Sequence, residues 1–107
     1  MQNPSNQQEN NQQQKLLEFL TEILNNYFSG SINVIDDSHL HVGHNHNGGG
    51  HYTIHIVDEK FSDLSRLQRH RMIYDILEQH MHDSKGKIHA LALKLYSPYE
   101  YFNELSK

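Results

Sequence analysis

The sequence contains no cysteine among its 107 residues. That absence excludes disulfide bonds and thiol catalysis. It also excludes an iron–sulfur or zinc site built from this chain's own thiolates. The folded domain must therefore be held together by its core. A domain of this size buries only about 60% of the surface of its unfolded chain, so we expect modest stability.

Long hydrophobic runs are absent too. No apolar stretch approaches the ~20 residues that span a bilayer. The N-terminus lacks the basic start and apolar segment of a signal peptide, and it is not the arginine-rich sequence of a transit peptide. We therefore expect a soluble, cytoplasmic protein that does not engage membranes.

The chain also lacks an excess of basic residues. Its formal charge is −4 when its ten histidines are neutral. With an ordinary histidine pKa of ~6.5, about a quarter of them are charged at pH 7, which brings the net charge to roughly −2. Neither value gives the strong positive field expected of a non-specific nucleic-acid binder.

The N-terminal segment is almost entirely polar. From Gln2 to Gln14, ten of thirteen residues are Asn or Gln. Because such a segment has no apolar residues to bury, it cannot offset the entropy lost on ordering. We predict a disordered tail over residues 1–14 and one folded domain over residues 15–107.

Hydrophobic periodicity over the remaining residues predicts an α+β fold. The segment "KLLEFLTEILNNYFSG" predicts a helix from about Gln13 to Phe28, with Gly30 suited to its C-terminal cap. Three further segments, "SINVI", "HYTIHIV" and "IHALALKLY", predict strands, of which the first two pair as a hairpin. Between the second and third strands we expect a short turn or helix around Phe61 to Leu64 that leads into a longer helix, so that the two form a helix-turn-helix. A short helix over about 98–105 follows the third strand.

Two capping boxes indicate where helices begin. One runs from Ser65 to Gln68, and the other runs from Ser97 to Glu100 with proline at the first helical position. The helix after Ser65 carries an apolar stripe that we expect to face the core. The stripe consists of Leu67, His70, Tyr74, Leu77 and Met81, with Ile73 and Ile76 beside it.

The most unusual stretch is "SHLHVGHNHNGGGH", which joins the first two strands. It places His39, His41, His44 and His46 among glycines and asparagines. Neutral imidazole is the commonest metal ligand, and His-x-His spacing can bring two rings to one ion. The alternative is a solvated hairpin loop, because ordering such a segment costs ~1–2 kcal/mol per residue. The pattern alone leaves both interpretations open.

A second candidate is "RLQRHR". Here Arg66, Arg69 and Arg71 fall within a turn and a half of helix and could contact nucleic-acid phosphates. The alternative is a solvated helical face with one packed histidine. His70 lies on the apolar stripe, so we interpret it as a structural residue at the edge of the core.

His89, at the start of the third strand, is a third candidate. By alternation it lies on the same side as Leu91, Leu93 and Leu95, which is typical of a packed histidine. It is also the first residue after a turn, where that face could be uncovered, so packing and ligation both stay open. No nucleophile lies in a credible pair with a base, and "NGGG" lacks the following helix and Lys-Ser/Thr of a phosphate loop. We therefore expect no enzyme.

Three blocks together resemble the BolA family. They are "VIDDSHLHVGH", "GGGHYTIHIVDEKFSDLSRLQRHRMIYDIL" and "IHALALKLYSPYEY", and the resemblance covers about Ile32 to Tyr101. The "RHRMIY" and "HALAL" blocks, in this order and spacing, are the most specific. Two positions depart from the family pattern: Asp63 replaces a common glycine, and Tyr101 replaces a common tryptophan.

The resemblance implies a class II KH-like fold, α-β-β-α-α-β, with helices on a three-stranded sheet. It implies an adaptor, monomeric alone, that forms a heterodimer with a monothiol glutaredoxin. The two proteins would hold a two-iron two-sulfur cluster with glutathione, in cluster assembly, trafficking or iron regulation. The family's ligands fall on His89 and on His41 in the loop. His39, His44 and His46 lie close to His41 in the sequence and are the alternatives for the loop ligand.

The resemblance also implies a second possibility, a DNA-binding transcriptional regulator that uses the helix-turn-helix around Arg66, Arg69 and Arg71. Against it, KH-type folds usually grip nucleic acid with a Gly-x-x-Gly loop, and the corresponding "FSDLS" turn has no glycine. A third possibility is a histidine-rich module that binds zinc or copper weakly, as any such loop does.

Overall fold

The computed structural model describes the backbone of residues 4–38, 50–81 and 88–105. Within these ranges lie three helices, α1 (Pro4–Asn25), α2 (Arg66–Met81) and α3 (Pro98–Leu105), and three strands, β1 (Ser31–Asp36), β2 (Gly50–Val57) and β3 (Ile88–Tyr96). A 3₁₀ turn, Glu59–Phe61, lies at the start of the stretch where a short turn or helix was expected. The predicted α+β order is confirmed. No helix in these ranges is long and apolar enough to cross a membrane.

The three strands form one sheet in the order β1-β2-β3. β1 pairs antiparallel with β2, as the predicted hairpin requires, and β2 pairs parallel with β3. Along β2, Tyr52, Ile54 and Ile56 are buried while the residues between them are only half-buried. This alternation places one face of the sheet against the helices and confirms that the segment is a strand.

Helix α1 differs from its predicted bounds at both ends. It begins at Pro4, so that residues 4–14, which we predicted to be disordered, are helical, and it ends at Asn25 rather than near Phe28. Glutamine is a good helix former and proline is tolerated in a first turn, so nothing in this polar segment breaks a helix that the apolar residues after it anchor. Beyond Asn25 the chain continues as turns, with Phe28 N donating to Leu24 O at 3.0 Å.

The core lies between the sheet and the two long helices. Its fully buried side chains come from α1, β2, the 3₁₀ turn and α2: Leu20, Leu24, Ile54, Ile56, Phe61 and Ile73. In α2 the buried row is Arg69, Ile73, Ile76, Leu77 and Met81. The predicted stripe is therefore wrong in its first half, since Leu67 and Tyr74 are 60% and 49% exposed. The buried row of α2 includes an arginine, Arg69. A pattern built from apolar residues alone omits this position and therefore assigns the first half of the buried face to the wrong side of the helix.

At Gly30 the backbone lies very close to the backbone of Val57. A Cβ atom there would lie 1.9 Å from the carbonyl oxygen of Val57, which is impossible without moving the backbone. Its N–H donates to Oδ2 of the buried Asp58 at 2.9 Å, and the other oxygen of that carboxylate accepts from Lys60 N at 2.8 Å. Gly30 therefore allows the start of β1 to lie against the end of β2, and it does not cap α1, which ends five residues earlier.

Both predicted capping boxes are confirmed. Gln68 N donates to Ser65 Oγ at 3.1 Å, and Ser65 N donates to Gln68 Oε1 at 2.8 Å. At α3, Glu100 N donates to Ser97 Oγ at 3.2 Å, and Ser97 N donates to Glu100 Oε1 at 2.8 Å. Each box satisfies two backbone donors that the first helical turn leaves open.

Candidate functional site

One end of the sheet gathers the segments that carry the candidate ligands. Because β1 and β2 are antiparallel while β2 and β3 are parallel, the end of β1 and the starts of β2 and β3 lie together. Gly50, the first residue of β2, pairs with Ile88, the first residue of β3. The histidine-rich loop leaves and re-enters the sheet at this end, beside the backbone of His89. We refer to it as the loop end of the sheet.

Hydrogen bonds close the base of the loop. Ser38 N donates to Asp36 Oδ1 at 2.8 Å, and His51 N donates to Ser38 Oγ at 3.0 Å. Asp37 N donates to the carbonyl of His51 at 2.7 Å, and the Thr53 hydroxyl donates to the Asp37 carboxylate. The two aspartates are thus turn formers, and they hold the two ends of the loop together.

Gly50 and Tyr52 complete this base. A Cβ atom on Gly50 would lie 2.7 Å from Ser38 Oγ and 3.0 Å from the Tyr52 hydroxyl, so the position is closed to larger residues without rearrangement. Tyr52 is buried, and burial together with the carboxylate of Asp36 raises its pKa. The phenol therefore stays protonated at neutral pH, and the loop re-enters the sheet against a neutral side chain.

His89 lies at an irregularity of the sheet. The register of β2 and β3 shifts by one residue between Gly50 and His51, which pair with Ile88 and Ala90. His89 is the residue that this shift leaves without a partner in the ladder. Such irregularities locally interrupt the alternation of side chains and are frequent beside functional sites. The direction of the His89 side chain, which alternation predicts to be that of Leu91, stays a prediction.

The four loop histidines, His39, His41, His44 and His46, lie outside the described residues. Among the side chains that the structure describes, no three metal-binding groups come together. His51 is the described histidine at the loop end, one residue into β2, and sequence reasoning did not single it out. Its position directly after the glycines, at the start of a strand, was the available signal.

The three arginines of the alternative interpretation do not form one surface. Arg69 is buried, with its side chain only 11% exposed. Its Nε donates to Leu64 O at 3.0 Å, and its Nη1 donates to Leu95 O at 3.1 Å and to Glu100 Oε1 at 2.7 Å. The guanidinium joins α2, β3 and α3, so Arg69 does not lie on one exposed helix face with Arg66 and Arg71, which corrects that part of the alternative interpretation.

Arg66 and Arg71 are exposed but belong to different flanks of α2. Residues five apart on a helix are rotated by about 140°, since each residue advances about 100°. Arg66 lines a groove between α2, β3 and α3, and Arg71 lines another between α2 and the segment after α1. His70 is half-buried and lines the first groove. A single nucleic-acid strand would have to contact both flanks of the helix to use both arginines.

The other described histidines have structural contacts. His80, near the end of α2, lies 2.7 Å from the hydroxyl of Tyr27 through its Nε2. His55 is half-buried, with its ring centroid 5.6 Å from those of Tyr96 and Tyr101. The substitution of Tyr101 for the family's tryptophan therefore keeps an aromatic contact between α3 and the sheet.

The sequence is similar to those of several known proteins. A family model described as BolA-like protein matches residues 20–100. A Haemophilus influenzae protein named DNA-binding transcriptional regulator BolA is 39% identical over 67 residues, which cover 62% of this chain and 60% of that protein. A BolA-like protein of Dictyostelium discoideum is 31% identical over 87 residues, covering 81% of this chain and 71% of the relative. The chain thus spans less than two thirds of the Haemophilus protein.

Solved structures agree on the fold. The BolA domain of SufE1 from Arabidopsis thaliana superposes with a TM-score of 0.64 at 30% identity, covering 78% of this chain and 93% of that domain. The solution structure of BolA1 from Mus musculus gives a TM-score of 0.65 at 23% identity, covering 83% of this chain and 70% of the other. The second likeness concerns the fold alone. Together with the family model, these matches confirm the resemblance found in the sequence.

Proposed function

The chain belongs to the BolA-like family, and on that premise we propose that it is the partner of a monothiol glutaredoxin. In this proposal it supplies histidine nitrogens to a two-iron two-sulfur cluster held between the two proteins. The observation that carries the proposal is the loop end of the sheet. There the histidine-rich loop is closed by hydrogen bonds beside His89, at the register shift between β2 and β3.

The donor chemistry of the chain fits a shared cluster. With no cysteine, this chain can offer imidazole nitrogen but no thiolate. The remaining ligands must then come from the glutaredoxin cysteine and from glutathione. Imidazole ligands on one iron raise the reduction potential of such a cluster relative to an all-thiolate site. When bound, the cluster supplies one-electron chemistry and can be passed to a recipient as cargo.

The chain's own residues then have separate tasks. His89 and one loop histidine, for which His41 is the first choice, would supply the nitrogens. Asp37 and Ser38 hold the loop at the strand ends, which reduces the backbone entropy lost when its histidines are ordered. The neutral phenol of Tyr52 beneath the loop adds no charge to the site. His39, His44 and His46 are the alternatives for the loop ligand.

The test is reconstitution without oxygen. The full chain is mixed with a monothiol glutaredoxin, glutathione, iron and sulfide, and visible absorption and circular dichroism are recorded beside the glutaredoxin alone. We expect a one-to-one complex with a new spectrum. His89→Ala and His41→Ala should each change that spectrum while far-ultraviolet circular dichroism shows an intact fold.

His70→Ala is the matched control, because it removes an imidazole that lines the groove at the other end of β3. It should leave the cluster spectrum unchanged. A wild-type spectrum from His89→Ala would remove His89 from the ligand set. Failure of the chain to form any complex or to alter the glutaredoxin spectrum would refute the proposal as a whole.

A second candidate is DNA binding, and the observation that favours it is the name of the Haemophilus influenzae relative, a DNA-binding transcriptional regulator. With Arg69 buried, the exposed arginines of this helix-turn-helix are Arg66 and Arg71. Fluorescence anisotropy on labelled duplex DNA over a range of salt concentrations tests this function. Loss of each phosphate contact should lower the salt slope by about one. Equal binding by wild type and by a variant lacking both arginines would refute it.

A further inference from the structure

A groove of about 730 Å³ lies far from the loop end of the sheet. Its walls are the first turns of α2, the last residues of β3 and the start of α3. The nearest lining residue on β3 is Leu93, four residues along the strand from His89, which corresponds to about 13 Å. Its volume falls in the range of about 300–1,000 Å³ that small-molecule sites occupy. A ligand here would not compete with the proposed cluster for protein atoms.

The groove is positively charged in a chain that carries a net charge of −4. Three cationic residues, Arg66, Arg69 and Lys94, line it together with one acidic residue, Glu100. Oε1 of Glu100 already accepts from Arg69 and from the backbone of Ser97. Within the described residues Arg66 and Lys94 form no ion pair, since the salt bridge found there is that of Arg69 with Glu100. Two positive charges are therefore left for a ligand.

Arg69 adds a fixed donor to the groove. Its described hydrogen bonds use Nε and Nη1, which hold the guanidinium against the carbonyls of Leu64 and Leu95. Nη2 takes part in none of them. A buried guanidinium that is already fixed by the fold loses little side-chain entropy when it binds an anion.

An aromatic side chain lies at the rim of the groove. Tyr99, the second residue of α3, is 77% exposed and lines the groove next to Glu100. An aromatic ring of this exposure offers a stacking surface for a planar group, and every nucleobase has a flat face that can stack on it.

We propose that this groove binds a small phosphomonoester carrying a planar ring, such as a nucleoside monophosphate. Arg66, Lys94 and Nη2 of Arg69 bind the phosphate, and Tyr99 stacks on the ring. A phosphomonoester has close to two negative charges and three acceptor oxygens at neutral pH, which match the two unpaired cations and several donors. A ligand with a single carboxylate carries one negative charge, so it would pair with one of the two cations and leave the other unpaired. The net negative charge of the chain disfavours a long polyanion.

The test is a titration of the ¹⁵N-labelled full chain with AMP, with inorganic phosphate and with a short oligothymidylate, followed by amide shifts. We expect saturable shifts at Lys94 and Tyr99 with AMP and with phosphate, and tighter binding of AMP. Arg66→Gln and Lys94→Gln should each weaken AMP binding about tenfold, since each removes a charge-assisted hydrogen bond. Tyr99→Ala should weaken AMP binding and leave inorganic phosphate unchanged.

Arg71→Gln is the matched control, since it removes the same charge from the same helix but from the other groove. It should bind AMP as wild type does. An equal loss in Arg71→Gln and Arg66→Gln would mean general electrostatic attraction and refute the site. Amide shifts with oligothymidylate but none with AMP would mean that the groove binds single-stranded nucleic acid, and they would refute the small-ligand proposal. No shifts at the groove with any probe would refute the proposal and leave the cluster-binding proposal untouched.

Discussion

Replacing Glu100 with glutamine removes one charge from the junction of α2, β3 and α3 while keeping an oxygen in place. The amide oxygen can still accept from Ser97 N, so the capping box survives. What is lost is the charge opposite Arg69, 2.7 Å away. The hydrogen bond from Arg69, followed by the one from the Ser97 backbone, lowers the pKa of Glu100 to about 2. The variant therefore isolates the contribution of this charge to stability.

The sign and size of the effect follow from that pKa. A carboxyl group whose pKa is lower in the folded state stabilises the fold above its unfolded pKa, here near 4.5, and loses that stabilisation as the pH falls toward 2. The full difference would correspond to about 3 kcal/mol for a group shielded from solvent. Because 43% of the Glu100 side chain is exposed and solvent screens the pair, we expect about 1–2 kcal/mol.

Urea unfolding of wild type and Glu100→Gln between pH 7 and pH 2.5 measures this difference. At pH 7 the variant should be less stable by about 1–2 kcal/mol, a shift of roughly 1 M in the urea midpoint. The gap should narrow as the pH falls from 4.5 toward 2, because the carboxyl group is then protonated in the unfolded chain while it stays ionised in the folded one. Glu78→Gln, at an exposed position of α2, is the control and should differ by less than about 0.5 kcal/mol throughout. A gap that persists unchanged at pH 2.5, or no gap at pH 7, would refute the reasoning.

Two further substitutions test contacts that hold the helices and strands together. Arg69→Met should lower the free energy of unfolding, measured in urea, by about 3 kcal/mol or more, because it leaves the carbonyls of Leu64 and Leu95 without their donor. A loss below about 1 kcal/mol would contradict the structural role of this guanidinium. Gly30→Ala should lower the melting temperature by several degrees, equivalent to about 2 kcal/mol, since its Cβ would lie 1.9 Å from Val57 O. An alanine variant as stable as wild type would mean that the two segments are not so close.

Local signals predicted most of the fold. The capping boxes at Ser65 and Ser97 depend on residues three apart, and both form. The alternation of β2 depends on neighbours two apart, and it is reproduced. These patterns are readable because each is satisfied within one element.

Features set by tertiary contacts were harder to predict. Arg69 occupies the core row of α2 because Leu95, on β3, and Glu100, on α3, supply its acceptors. No pattern within α2 reveals partners that lie more than twenty residues away. The same limit applies to His89: its place at the start of a strand was readable, whereas the register shift that singles it out exists only in the pairing with Gly50. The loop ligand was assigned through family resemblance and stays a prediction.

The parallel pairing of β2 with β3 has a consequence for the order of events during synthesis. The β1–β2 hairpin can form as soon as Val57 leaves the ribosome, but the partner of Gly50 is Ile88, which follows only after all of α2. At about 5–20 residues per second, the loop is complete seconds before His89 is available. A growing or truncated chain thus has the loop histidines but only half of the proposed ligand set, and the second half is added by the last strand of the sheet.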